Sequence, residues 1–270
     1  MLPNLLVIGA AKAGTSSLHV YLDEHPDISM SWPKELFYFS FEDWRERRAW
    51  YERFFRDAPV RGESCPQYAM HPAFPDVSRR VHSLIPDARL IYLVRDPVER
   101  FVAHYVDNIK LALERRPLDE VLALDDGANY FLAASRYATQ LERFLACFDQ
   151  SRILVLDQRD LLHRRAETMR SVFAFLGVDP DFTSPAFSRE LNAHVDKPGL
   201  SRFGHWAYTS ERLPARVRSL VVRHGGRLLT RRVPIPRLSD PQRERLLEHL
   251  APEAERLRAL TGQPFAGWSV

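Results

Sequence analysis

The segment Gly9-Ala10-Ala11-Lys12-Ala13-Gly14-Thr15-Ser16-Ser17 sets two glycines, a lysine and three hydroxyls directly after an apolar run, Leu5 to Ile8. A loop between the first strand of a parallel sheet and a helix turns backbone N–H groups and the positive helix end toward an anion. Lys12 adds a full charge on a flexible stem. The chemistry open to such a segment is to hold a phosphate or a sulfate. Taken alone, the same residues also suit an ordinary strand-to-helix turn with a surface lysine. In a Walker A sequence lysine directly follows the last glycine, and serine or threonine follows lysine. Here Ala13, Gly14 and Thr15 come after Lys12, so the usual magnesium-binding hydroxyl is not evident. Nor does an apolar run end in an obvious Walker B acid: Val94 is followed by Arg95, and Asp157 closes Ile153 to Leu156 with no matching metal partner. Both departures weaken an ATP-dependent kinase or NTPase reading.

Arg95 is the second candidate. It ends the run Leu90 to Val94 and precedes Asp96-Pro97-Val98-Glu99, which carries an N-cap residue, proline at the first helical position and an acid three residues past the cap. That junction predicts an arginine facing the ligand edge of a sheet, where its planar fork suits a phosphate; the alternative is an ion pair with Asp96 or Glu99.

The elements that must position these residues follow from periodicity. Leu5 to Ile8, Val60 to Ser64, Leu90 to Val94 and Ile153 to Leu156 are short apolar runs that predict strands. Helices are predicted over Thr15–Leu22, 43–56, Pro72–Leu84, Pro97 to about Leu111, and from Tyr137 to Phe148, with another ending near Leu176 at Gly177. Ser239-Asp240-Pro241 starts a C-terminal helix carrying Leu246, Leu247 and Leu250, and Gly262 ends the last one. The aromatic-rich stretch Ser31 to Phe39 has no helical period and is placed as a loop near the sheet. Strands alternating with helices predict a parallel sheet covered on both faces.

Composition narrows the classes. The 270 residues are 45% hydrophobic and 27% charged, ordinary globular material in one expected domain, 1–270. The formal charge of +3 is too even a balance for a protein that coats nucleic acid. No apolar run approaches the length of a membrane span and the N-terminus lacks a signal-like pattern, so the expectation is a cytoplasmic protein without membrane insertion. Cys65 and Cys147 have no ligand spacing, which leaves neither a disulfide framework nor a metal site in view. Residues 203–239 are basic and proline-punctuated, and read as a solvated face or as a lid or acceptor-facing segment.

Taken in order, Gly9 to Leu18, His25-Pro26-Asp27, Lys34-Glu35-Leu36-Phe37-Tyr38-Phe39, Glu63-Ser64-Cys65-Pro66-Gln67-Tyr68 and Leu93 to Arg100 resemble sulfotransferases that use 3′-phosphoadenosine 5′-phosphosulfate (PAPS). The branch most similar contains heparan sulfate sulfotransferases and their bacterial relatives. Tyr137 to Leu141, Phe175-Leu176-Gly177 and Leu260-Thr261-Gly262 to Trp268 extend the resemblance across almost the whole chain. It implies a three-layer α/β fold of the P-loop type with a central parallel sheet flanked by helices. It also implies sulfo transfer from PAPS to an acceptor hydroxyl, or secondarily an amine, with 3′,5′-adenosine bisphosphate (PAP) as product and no metal. Lys12 would stabilise the leaving phosphate. Glu35, otherwise a surface ion pair with Lys34, would be the general base, partly desolvated by Phe37 and Phe39. Lys12, Ala13, Gly14, Thr15, Ser16 and Ser17 would hold the 5′-phosphosulfate, with Ser17 alternatively capping the helix; Arg95, Tyr137 and Arg202 would meet the nucleotide.

Two positions depart from that pattern. Ala103 stands where the family commonly has serine, removing one hydroxyl contact to the 3′-phosphate, for which Ser135, Arg136 and Tyr137 are candidate substitutes. Ser64 stands where polysaccharide-modifying relatives carry lysine, which shifts the expected acceptor from a polyanionic glycan toward a small or lipid-like molecule. Of the histidines near these motifs, His71, His104 and His194, His104 is a reserve candidate for the base. A protein that keeps the fold for nucleotide sensing without turnover is the nonenzymatic alternative.

Overall fold

The computed structural model describes residues 1–124, 128–188 and 235–270, together with the backbone of 199–200 and 230–231. Five strands, β1 (Leu5–Gly9), β2 (Ile28–Met30), β3 (Val60–Ser64), β4 (Arg89–Val94) and β5 (Ile153–Asp157), form one parallel sheet in the order β2-β3-β1-β4-β5. Every residue of β1 is buried, as expected of a central strand covered on both faces. From β1 the chain runs to the β2–β3 side and then crosses back to β4, so strand order reverses at β1. In open parallel sheets that reversal opens a crevice at the carboxyl ends of the strands. Lys12 and Arg95, which follow β1 and β4, both lie there.

The strands expected from apolar runs are present in this sheet, which gains one more; Gly199–Leu200 and Thr230–Arg231 pair separately as a two-stranded antiparallel ribbon. Ile28–Met30 is only three residues long, too short for a periodic signal, and is held by pairing with β3, Met30 opposite Gly62. A β-carbon on Gly62 would stand 2.5 Å from Met30 Sδ, so glycine lets β2 lie flat against β3 and aims the loop that follows it. The 43–56 helix is reduced to short turns at Arg48–Tyr51 and Glu52–Phe54. Its aromatics serve a core instead of one helix face: Tyr51 stacks on Tyr38 at 3.9 Å, and Trp44 meets Tyr38 and Phe39. The helix expected from Pro72 begins at Val77, the segment before Leu176 is two helices, Gln158–His163 and Arg165–Leu176, and the C-terminal helix runs unbroken from Asp240 to Thr261 across Pro252.

The helix Pro97–Lys110 starts as predicted. Asp96 accepts hydrogen bonds from the Val98 and Glu99 amides, both at 3.0 Å. Asp157 has structural duties: its carboxylate caps the next helix through the Arg159 amide and accepts from Trp268 Nε1 at 3.1 Å. Among the described residues no helix is long and apolar enough to cross a membrane.

Candidate active site

The loop after β1 is pinned at its start by the Ala10 amide, which donates to the Leu93 carbonyl of β4 at 2.6 Å. It then passes through two left-handed residues, Lys12 with φ 68° and Gly14 with φ 97°. Helix α1 (Thr15–Asp23) begins directly after Gly14, which has no side chain to cap it, so the expectation that Ser17 caps the helix is not met. Ser17 instead gives its amide to the Gly14 carbonyl at 3.0 Å. A helix start without a side-chain cap leaves its first amides to whatever approaches from the crevice.

That crevice is a cavity of about 1600 Å³. Lys12, Gly14, Thr15, Ser16, Ser17, Lys34, Glu35 and Arg95 all line it, so most of the residues singled out from the sequence share one space. Lys34 draws the two halves together: its ammonium donates to Thr15 Oγ1 at 3.3 Å and to Glu35 Oε1 at 2.7 Å. Among the described residues no hydrogen bond engages the other Glu35 oxygen. The desolvation expected from Phe37 and Phe39 is not what the fold provides. Phe39 is buried among Tyr38, Tyr51 and Tyr68, while the Glu35 side chain is 36% exposed against Lys34.

Lys12 Nζ meets Asp107 Oδ1 at 2.9 Å, a partner 95 positions away that no local pattern announces. Arg95 makes the ion pair that was its alternative, bonding Glu99 through Nε at 3.0 Å and Nη2 at 2.8 Å. This pair is partly exposed, worth at most about 1 kcal/mol, and an arriving phosphate can compete for the guanidinium.

Two expected contacts are not assembled. Ala13 is fully buried and is not part of the cavity lining. Tyr137 is sunk in the core, 1% exposed, edge-on to Tyr92 at 5.9 Å, with burial driving its pKa above the usual phenol value. An aromatic residue at a helix start can equally be a core anchor, and here the core takes it. Arg202 and His194 lie outside the described residues, as does most of the 203–239 segment. The proposed substitutes for a hydroxyl at Ala103 also fail to reach the cavity: Ser135 is buried, bonded to Arg100 Nε at 2.8 Å, and Arg136 turns to His249 at 3.3 Å. His71 stands off the cavity, paired with Arg143 at 2.8 Å. Ser64 is buried against His19, Oγ to Nδ1 2.9 Å, so that position faces α1 and not the cavity wall.

Glu63 was not singled out for a role of its own, and it builds the Glu35 loop. Its enclosed carboxylate accepts from the Leu36 amide at 2.9 Å, from Tyr51 Oη at 2.6 Å and from Tyr68 Oη at 2.9 Å. No cation balances it in this set, and burial raises its pKa to about 7. Because the folded protein holds this proton more tightly than the unfolded chain, stability from Glu63 is full below pH 4.5 and is lost as pH rises through about 7. The loss is on the order of 3 kcal/mol by the linkage relation. His19 has the opposite sign: burial lowers its pKa to about 4, so its contribution is full above pH 6.5 and is lost on acidification through 4. Glu63→Gln keeps an oxygen for the Leu36 amide and discards the titration. In urea denaturation series from pH 4.5 to 8, the stability of the variant relative to wild type is expected to rise between pH 4.5 and 7 and to level off above that. Superimposable profiles would refute the assignment.

A crevice at the switch point of a parallel sheet, lined by a glycine loop and several cations, defines the class: a P-loop-type α/β protein. Comparison with known proteins gives the family. Residues 40–183, more than half of the chain, match the model of the sulfotransferase family, and the chain belongs to that family. It is therefore a transferase enzyme, and the kinase and sensing alternatives fall away. The mouse bifunctional heparan sulfate N-deacetylase/N-sulfotransferase 1 is 29% identical over 197 residues, 65% of this chain and 22% of that protein. The human bifunctional heparan sulfate N-deacetylase/N-sulfotransferase 2 is 27% identical over 221 residues, 73% and 24% of the respective chains. The chain thus spans about a quarter of the length of these relatives. Among solved structures, a sulfotransferase from Alicyclobacillus acidocaldarius superposes with a TM-score of 0.72 over 100% of both chains at 24% identity. A mouse sulfotransferase complexed with PAP gives 0.50 at 14% identity, covering 97% of this chain and 89% of that one. Both share the fold.

Proposed function

We propose that this sulfotransferase moves a sulfo group from PAPS to an acceptor hydroxyl, an amine being the secondary choice, within a single catalytic domain spanning 1–270. The observation that carries the proposal is that Lys12 and Glu35 line the same cavity, with Lys34 hydrogen-bonded to both Glu35 and the first residue of α1. The cations Lys12, Lys34 and Arg95 around an uncapped helix start fit a donor carrying several negative charges.

In the proposed reaction the acceptor oxygen bonds to sulfur as the bond from sulfur to the bridging phosphate oxygen breaks. Negative charge grows on that oxygen, and Lys12 meets it with an ammonium already in place. Glu35 receives the acceptor proton on the oxygen not engaged by Lys34. Amides of Gly14, Thr15 and Ser16 and the hydroxyls of Thr15 and Ser16 hold the nonreacting oxygens, and Arg95 leaves Glu99 for a nucleotide phosphate. No step calls for a metal ion.

For the acceptor, the wall beyond the loop includes Val102, Val106, Leu161, Leu162, Ile235 and Leu238. That lining suits a small or lipid-like acceptor, while the heparan sulfate relatives keep a glycan amine among the substrates to be tried. The test is incubation with PAPS and a panel of alcohols, amines and glycans without added metal, following PAP release and, separately, PAP binding by calorimetry. Acceptor-dependent PAP release is expected. A protein that does not bind PAP would overturn the proposal.

A further inference from the structure

Arg100 and His104 stand one turn apart on the helix Pro97–Lys110, both buried. The Arg100 guanidinium donates to Ser135 Oγ at 2.8 Å, to the Phe131 carbonyl at 2.5 Å and to His104 Nδ1 at 3.2 Å. Among the described residues it has no carboxylate partner. Burial lowers its pKa, yet arginine keeps its proton in proteins, so a full positive charge is enclosed beside the phosphate loop without a counter-charge.

A guanidinium only donates, so the Nδ1 it meets must be the nitrogen with the free lone pair. Burial, reinforced by the neighbouring charges of Arg100 and Lys12, holds the imidazole neutral. A neutral ring with a bare Nδ1 carries its proton on Nε2. Nε2 has no hydrogen-bond partner among the described residues, and His104 lines the cavity together with Ala103 and Lys12. The ring is steadied edge-on by Tyr130 at 5.4 Å and Phe131 at 5.0 Å. This arrangement removes His104 as a base, since the nitrogen not facing Arg100 is already protonated, and makes it a fixed N–H donor.

We propose that His104 is a donor-binding residue whose Nε2–H donates to a phosphate oxygen of the sulfo donor, with the enclosed Arg100 charge behind it. The inference rests on the PAPS reading above. Ala103, the next lining residue on this helix, has no hydrogen-bonding side chain, so the imidazole supplies the polar contact on this wall. The anion in turn compensates the buried guanidinium across the ring.

The test compares wild type, His104→Phe and His104→Gln for binding of PAP and of adenosine 5′-monophosphate, with thermal unfolding to confirm that each variant is folded. Both substitutions remove the Arg100 acceptor nitrogen, but only Gln restores an N–H near the Nε2 position. His104→Phe is expected to weaken PAP binding about tenfold to hundredfold, and His104→Gln to stay within about threefold of wild type. Loss with PAP alone places the contact at the 3′-phosphate, and equal loss with both ligands places it on the 5′ side. Nitrogen-15 NMR of the free protein is expected to show the proton on Nε2. Unchanged PAP binding by His104→Phe, equal losses in both variants, or a proton on Nδ1 would each overturn this inference and leave the PAPS reading standing; a wild type that does not bind PAP overturns both.

Discussion

Glu35→Gln is expected to lower kcat by about 10²-fold to 10⁴-fold while PAP affinity stays within about twofold of wild type. Glutamine keeps the volume of the side chain and an oxygen for the Lys34 ammonium, which lies 2.7 Å from the carboxylate in the wild-type protein. What it loses is the ability to take a proton. An alcohol attacking sulfur without a base must develop a positive oxygen in the transition state, so the penalty falls on turnover and not on donor binding. Steady-state kinetics with a confirmed acceptor, set beside PAP calorimetry, reads the two quantities separately. Wild-type kcat in this variant would reject Glu35 as the base. An equal loss in PAP affinity would make it a structural residue of the loop.

Lys12→Ala is expected to reduce kcat by about 10²-fold to 10³-fold, the effect of removing one preorganised donor from a developing oxyanion. Unlike Glu35→Gln it should also weaken PAP binding, because the product phosphate carries the charge that Lys12 meets. Asp107 sharpens the prediction. With the ammonium gone, the carboxylate that stood 2.9 Å from it remains at the cavity wall, where it repels an anion. Lys12→Ala combined with Asp107→Asn should therefore recover part of the PAP affinity and none of kcat. Recovery of both would mean that Lys12 serves to neutralise Asp107 and has no direct part in the transfer.

The sheet was legible where apolar runs were long enough to have a pattern. Leu5 to Ile8, Leu90 to Val94 and Ile153 to Leu156 became β1, β4 and β5 with bounds shifted by a residue or so. Ile28–Met30 escaped because three residues carry no periodicity, and its existence depends on Gly62 across the sheet. Residues 43–56 misled because aromatic spacing at intervals of three and four mimics one helix face, whereas Trp44, Tyr51 and Phe55 bury into an aromatic cluster with Tyr38 and Phe39. Tyr137 misled in the reverse direction, since residue type does not tell a ligand-facing ring from a core ring.

Read as a string, the chain already specified the loop between Gly9 and Ser17, the capped junction Arg95-Asp96-Pro97, and the family that their order marks. These are local matters: a strand followed by a glycine loop and a helix aims its amides the same way whatever surrounds it. Folding alone decided that Lys12 faces Asp107, that Lys34 ties Glu35 to Thr15, that Glu63 carries the Glu35 loop from inside the core, and that Arg100 meets His104. Such partners meet through strand order, helix packing and side-chain placement, and their charges take their strength from burial, which no stretch of neighbouring residues sets.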